Sequence, residues 1–176
     1  MRHNLGLFAL VLVLMPTSGF GAKIQNDFDN AVDFSNYTTY AWVKGTAVTN
    51  ATVHDRIVHG VDDKLSQRWL RGIQANPDLY VIYHGSATGE VVVDMSSFGY
   101  TYRSSWMWGG KIGRSDTGVQ TYPQGTLVID IWEAKTRRLI WRGVATDSIV
   151  TDPTRALDGI NSGLQKMFLE YPPPKR

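Results

Sequence analysis

The sequence contains no cysteine. That excludes disulfides, thiolate nucleophiles, thiolate metal sites and a lipid-bearing cysteine, so core packing alone must hold the fold. Long basic runs are also missing, and the formal net charge is only +2. Nucleic acid, which calls for a concentrated cationic surface, is therefore not an expected partner. No apolar run reaches the roughly 20 residues that a membrane-spanning helix requires. Internal repeats and low-complexity linkers are absent. So are the Gly-x-Ser-x-Gly elbow, the His-Glu-x-x-His helix and the Gly-x-x-x-x-Gly-Lys-Ser/Thr phosphate loop.

What is present is apolar and aromatic: of 176 residues, 43% are hydrophobic, with 6 Trp and 8 Tyr, enough to bury a core. The N-terminus reads as a secretory leader. Arg2 supplies a positive start, Leu5 to Met15 an apolar stretch of leader length, and the small residues Gly19 and Gly21 a cleavage site. The expected organisation is a leader over residues 1–21 and one domain over 22–176, exported to the periplasm. Loss of the leader removes Arg2 alone among the counted charges and leaves a net charge of about +1.

The clearest pattern in the chain is Gly125 to Gly143. Two β-branched and aromatic runs flank a four-residue connector, Ala134 to Arg137, which predicts an antiparallel hairpin. With that connector Glu133 faces Arg138 and Asp130 lies opposite Trp141. Val128, Asp130, Trp132, Leu139 and Trp141 then share one face, and Leu127, Ile129, Ile131, Ile140 and Arg142 the other. A one-residue slip would exchange these faces.

Around the hairpin, Tyr37 to Val43 has strand composition. Val53, Ile57, Val61, Leu65 and Trp69 recur at four-residue steps as the apolar stripe of a helix, with Thr52 as its N-cap and Gly72 and Pro77 bracketing its end. Leu79 to His84 has few polar positions and reads as an interior strand covered on both faces. Glu90 to Asp94 and Phe98 to Arg103 are further strands. Ser104 to Gln124 carries the fewest order signals; Trp106 and Trp108, beside Gly109 and Gly110, suggest a hairpin tip or an aromatic binding surface. Asp152 followed by Pro153 starts a second helix, whose stripe is Leu157, Ile160, Leu164, Met167, Phe168 and Tyr171; the three prolines from Pro172 stop it, and a basic tail follows. This order predicts an α+β fold: a mainly antiparallel sheet with two helices packed on one face, in two layers.

Chemistry-bearing residues are sparse. Asp27, Asp29 and Asp33 lack the glycine and terminal glutamate of a calcium loop and read as turn carboxylates. His54 and His59 lie five apart, off a shared helical face, so neither a metal nor a cofactor is expected there. His84, at the end of its strand, is expected to be half-exposed. Asp130 is a charge among apolar residues. It reads either as a catalytic carboxylate with a raised pKa or as a structural acid bonded to Arg142, a tyrosine or backbone. The candidate polar or binding residues are thus His84, Asp130 and Arg142, with Trp106 and Trp108, and no residue is assigned a catalytic role.

Three motifs carry a resemblance. Asp27-Phe28-Asp29 with Asp33 to Trp42, Asn76-Pro77-Asp78-Leu79 with Tyr83-His84, and Gly125 to Asp130 with Ala134-Lys135-Thr136 and Leu139 to Gly143 together resemble bacterial domain of unknown function family 4136. The likeness covers essentially the whole chain after the leader. It implies an exported envelope protein, and the family has no established activity, so no site residue follows from it. Many members are lipoproteins; the missing cysteine departs from that pattern and implies a periplasmic form, free or peripherally associated with the outer membrane. The expectation is a non-catalytic binding or accessory domain that contacts another cell-envelope component. The alternatives are a periplasmic hydrolase built on His84 and Asp130, or a small-ligand pocket between sheet and helices.

Overall fold

The computed structural model describes residues 22–94 and 119–173. The leader, the strand expected over 98–103, the Trp106 and Trp108 loop and the basic tail at residues 175 and 176 lie outside the described residues.

The chain forms β1 (Lys23–Phe28), β2 (Thr39–Trp42), α1 (Ala51–Ser66), β3 (Arg71–Gly72), β4 (Leu79–Gly85), β5 (Val91–Asp94), β6 (Val119–Tyr122), β7 (Leu127–Glu133), β8 (Arg138–Thr146) and α2 (Pro153–Met167). Six strands make one sheet in the order β1-β8-β7-β4-β2-β3, while β5 and β6 pair separately. The large sheet is antiparallel except where β2 runs parallel to β3 and β4. Its centre is β8, β7 and β4, the most continuously apolar strands, because both of their faces are covered. β1 was not anticipated as a strand; it pairs along β8 from Lys23 opposite Thr146 to Phe28 opposite Trp141.

Both helices lie on one face of that sheet. Val53, Ile57, Val61 and Leu65 of α1 and Ile160, Leu164 and Met167 of α2 pack there against Leu79, Val81, Ile129, Ile131 and Trp141. β8 admits α2 closely at Gly143, where an added Cβ would collide with the Met167 side chain. The opposite face is covered too. Val91 and Val93 of β5 and Tyr122 of β6 close over Ile82, Val128, Trp132, Leu139 and Val144. The α+β architecture with two helices on one face is therefore present, and the β5–β6 ladder adds a third, small layer to the two expected.

The helix ends depart from the sequence reading in instructive ways. α1 is capped by Asn50, whose Oδ1 accepts from Val53 N at 3.0 Å, not by Thr52. At the far end, Leu70 N–H reaches Leu65 O and Trp69 N–H reaches Ser66 O, the two bonds of a Schellman motif. This reverses the chain through Trp69, at φ 66°, turns its ring to solvent and gives the buried place to Leu70. Trp69 therefore does not extend the apolar stripe. In α2 the expected Asp152 cap and Pro153 start are present, and Asp152 Oδ1 accepts from Arg155 N at 2.8 Å. Leu157 is half-buried, and Ala156 takes the covered position.

The hairpin connector is as expected, with Glu133 opposite Arg138. Beyond it a bulge shifts the register: Trp132 faces Leu139 but Ile131 faces Trp141, so Ile140 has no partner on β7. Asp130 consequently lies opposite Arg142 rather than Trp141. Trp141 turns to the helices, with ring centres 5.1 Å from Phe168 and 5.3 Å from Tyr171.

Candidate functional site

The register shift brings two candidate residues together. Asp130 and Arg142 are 1% and 0% exposed, and they meet in a bidentate pair: Arg142 Nε donates to Asp130 Oδ1 and Nη2 to Oδ2, both at 2.5 Å. The remaining guanidinium nitrogen, Nη1, donates to Gln120 Oε1 and to the Tyr122 hydroxyl at 3.2 Å. That hydroxyl in turn donates to Gln120 Oε1 at 2.7 Å. Burial alone would lower the Arg142 pKa, but the Asp130 charge and its hydrogen bonds raise it overall. Burial raises the Tyr122 phenol against the lowering pull of Arg142. Both groups keep their ordinary protonation at neutral pH.

His84, two residues along β4 from the partner of Asp130, is 2% exposed. This corrects the half-exposed position expected for it; the strand runs one residue further and the covering loop brings Thr46 over the ring. Thr46 N–H donates to His84 Nδ1 at 3.2 Å, with Thr46 Oγ1 at the same distance. Because Nδ1 accepts from backbone, the neutral ring carries its proton on Nε2. Burial lowers the His84 pKa; Asp130 raises it and Arg142 lowers it by lesser amounts. The imidazole is thus neutral at pH 7.

Within this network Asp130, Arg142, Gln120 and Tyr122 bond one another. Both Asp130 oxygens are engaged by one guanidinium. The network's visible work is mechanical: Arg142 on β8 and Asp130 on β7 tie the large sheet to Gln120 and Tyr122 on β6. Sequence reasoning missed those two. Their signal was the alternation in Val119–Tyr122, where Gln120 and Tyr122 are buried and the intervening residues exposed.

An open site lies at one end of the sheet. The N-termini of α1 and α2 and the end of β4 border a cleft of about 340 Å³. Its walls include Thr46, Val48, Gly85, Ser86, Ile149 and Thr151, and among the described residues Glu90 is the one ionisable group lining it. Ser86 Oγ organises the rim by accepting from Gly89 N at 3.1 Å. Thr46 belongs to both regions, lining the cleft and contacting His84.

The other sequence candidates have local roles. Asp29 accepts from Ala31 N at 2.9 Å and pairs with Arg138 at 3.2 Å; Asp33 accepts from the Ser35 hydroxyl at 2.6 Å. His54 Nδ1 lies 2.5 Å from the Tyr83 hydroxyl. Among the described residues no three His, Asp or Glu side chains converge as a metal site, and no helix is long and apolar enough to cross a membrane.

Comparison with known proteins agrees with this architecture. A search of curated proteins finds no match. A family protein from Bacteroides thetaiotaomicron, described as a DUF4136 family protein, superposes with a TM-score of 0.52 at 15% identity, over 83% of this chain and 95% of that one. A PDZ domain protein from Parabacteroides distasonis gives 0.54 at 17% identity, over 88% of this chain but only 36% of that one. At such identities the likeness is one of fold. The model of the domain of unknown function DUF4136 matches residues 24–173, and the chain belongs to that family.

Proposed function

We propose that this is an exported, periplasmic accessory domain of the cell envelope that works by binding rather than catalysis, with the cleft at the helix N-termini as its contact site. The carrying observation is the contrast between the two polar regions. The buried one pairs its charges with each other, whereas the open one offers hydroxyls, backbone and small apolar groups around the Glu90 carboxylate. Hydroxyls, backbone and small apolar groups of this kind can hold a ligand by hydrogen bonds and contact. A volume of about 340 Å³ suits a small, largely uncharged ligand or a short segment of an envelope partner. Export is supported by the leader pattern of Arg2, Leu5 to Met15 and Gly19 to Gly21.

A photo-reactive residue at Thr88, on the cleft rim, tests the reading in envelope preparations, with Arg56 on the exposed side of α1 as control. Adducts at Thr88 and not at Arg56 are expected. Monomer alone at both positions, or turnover in a broad hydrolase screen that His84→Ala abolishes, would overturn it.

A further inference from the structure

The two helices run in the same direction: Arg68, just past α1, donates to Tyr171 O and Phe168 O, just past α2. Their C-termini, the β7–β8 turn and β3 therefore share the end opposite the cleft. Four large apolar side chains are exposed among the described residues, and two of them, Trp69 and Leu169, stand at this end, 89% and 69% exposed. Trp69 occupies the left-handed position of the helix terminus, one that glycine normally fills. Neither its conformation nor any packing explains a tryptophan there.

Charge at the same end is sorted by exposure. Arg71, Lys135, Arg137 and Lys166 are exposed, while Arg68 is held by the Tyr171 and Phe168 carbonyls. The acids are mostly turned to internal work. Asp62 Oδ1 accepts from Tyr40 and Trp42, Asp78 Oδ2 from the backbone of Thr38 and Thr39, and Glu133 from Tyr37; Asp29 holds Arg138. Among the described residues Asp63 and Glu170 are the exposed acids near the helix C-termini.

We infer that this end docks on an anionic phospholipid surface, with Trp69 and Leu169 entering the headgroup region and the exposed cations facing phosphate. Separate apolar tips among cations suit interfacial anchoring, in which each side chain is buried by lipid on its own. A stable protein interface instead buries roughly 800 Å² of contiguous surface per partner, and one tryptophan supplies at most about 250 Å². The inference stands independently of the cleft.

The test is vesicle co-sedimentation of the full chain, so that any contribution of residues 1–21 is common to all variants. Vesicles of phosphatidylcholine alone are compared with vesicles that also contain phosphatidylglycerol. Trp69→Gly suits the left-handed backbone, so folding is retained, and circular dichroism checks it; Leu169→Ser changes an exposed side chain. Each is expected to weaken binding to the anionic vesicles by about fivefold or more, as is the charge reversal Arg71→Glu, at about fivefold per lost cation. Equal binding to neutral vesicles, or no binding to either, would overturn the inference. Salt-sensitive binding that Trp69→Gly and Leu169→Ser leave unchanged, and that a soluble polyanion competes away, would replace it with simple polyanion adhesion.

Discussion

Breaking the Asp130–Arg142 pair from either side should give two different penalties, because only one of its charges can escape. In Asp130→Leu the guanidinium stays fully buried with Gln120 and Tyr122 as its remaining acceptors. Arginine cannot shed its proton in a protein, so the uncompensated charge costs about 3–5 kcal/mol across the whole accessible pH range. In Arg142→Met the orphaned carboxylate can protonate instead. Burial then raises its folded pKa above the unfolded value of about 3.9. A group with a raised folded pKa retains its stability below the unfolded value and loses it as pH rises through the folded one. The penalty of Arg142→Met should therefore be small in acid and grow toward pH 8. The double variant Asp130→Leu/Arg142→Met removes both charges and should lie within about 1–2 kcal/mol of the native protein, so the two single changes are strongly non-additive. Urea unfolding of all four proteins at two pH values measures this. A loss below about 1 kcal/mol for Asp130→Leu, or additive single changes, would refute the assignment of the pair as a buried, compensated structural unit.

Three more outcomes follow from single features. Because burial depresses the folded pKa of His84, the neutral ring favours the fold above the unfolded value of about 6.5. That contribution is lost as pH falls from there through the lower folded value, and a His84→Gln protein should show a shallower decline in stability between neutral and mildly acidic pH. Trp69→Gly removes a strained, solvent-facing side chain and should raise stability by about 0.5–1 kcal/mol, seen as a Tm higher by a few degrees; a lowered Tm would show that the ring packs. Gly143→Ala drives a methyl into Met167 and Trp141 and should cost about 1–3 kcal/mol in chemical unfolding, whereas a neutral result would mean that α2 shifts freely.

Much of this architecture was legible because its signals are local. The hairpin turn, the stripes of both helices, the Asp152 cap and the doubly covered run at Leu79 each follow from spacing or composition within a dozen residues. What escaped depended on contacts from elsewhere in the chain. β1 is half-exposed along most of its length and is defined by the ladder it adds to β8. β6 is only four residues long, and its buried positions are marked by Gln120 and Tyr122, which are inside because Arg142 is there to meet them. His84 looked half-exposed because nothing near it in sequence announces that Thr46, from the β2–α1 connection, lies over its ring. Trp69 fitted a helical period that the helix does not live to complete.

The most consequential departure is a single extra residue. Without the bulge at Ile140, Asp130 would sit opposite Trp141, and Arg142 would point at the helices, into a layer of Ile129, Ile131, Leu164 and Met167 with no carboxylate beside it. An unpaired guanidinium in such a core is untenable, so the alternative register is excluded by charge as much as by the loss of the Trp141, Phe168 and Tyr171 cluster. The bulge resolves both demands at once: it delivers the indole to the aromatic helix face and the cation to Asp130, Gln120 and Tyr122 on the other. A pattern of alternating faces cannot foresee this, because it counts residues and the bulge changes the count. The same step explains how the buried charge is compensated. The residue that made Asp130 conspicuous in the sequence, an acid among β-branched neighbours, is in place because Arg142 needs it there to hold the third layer down.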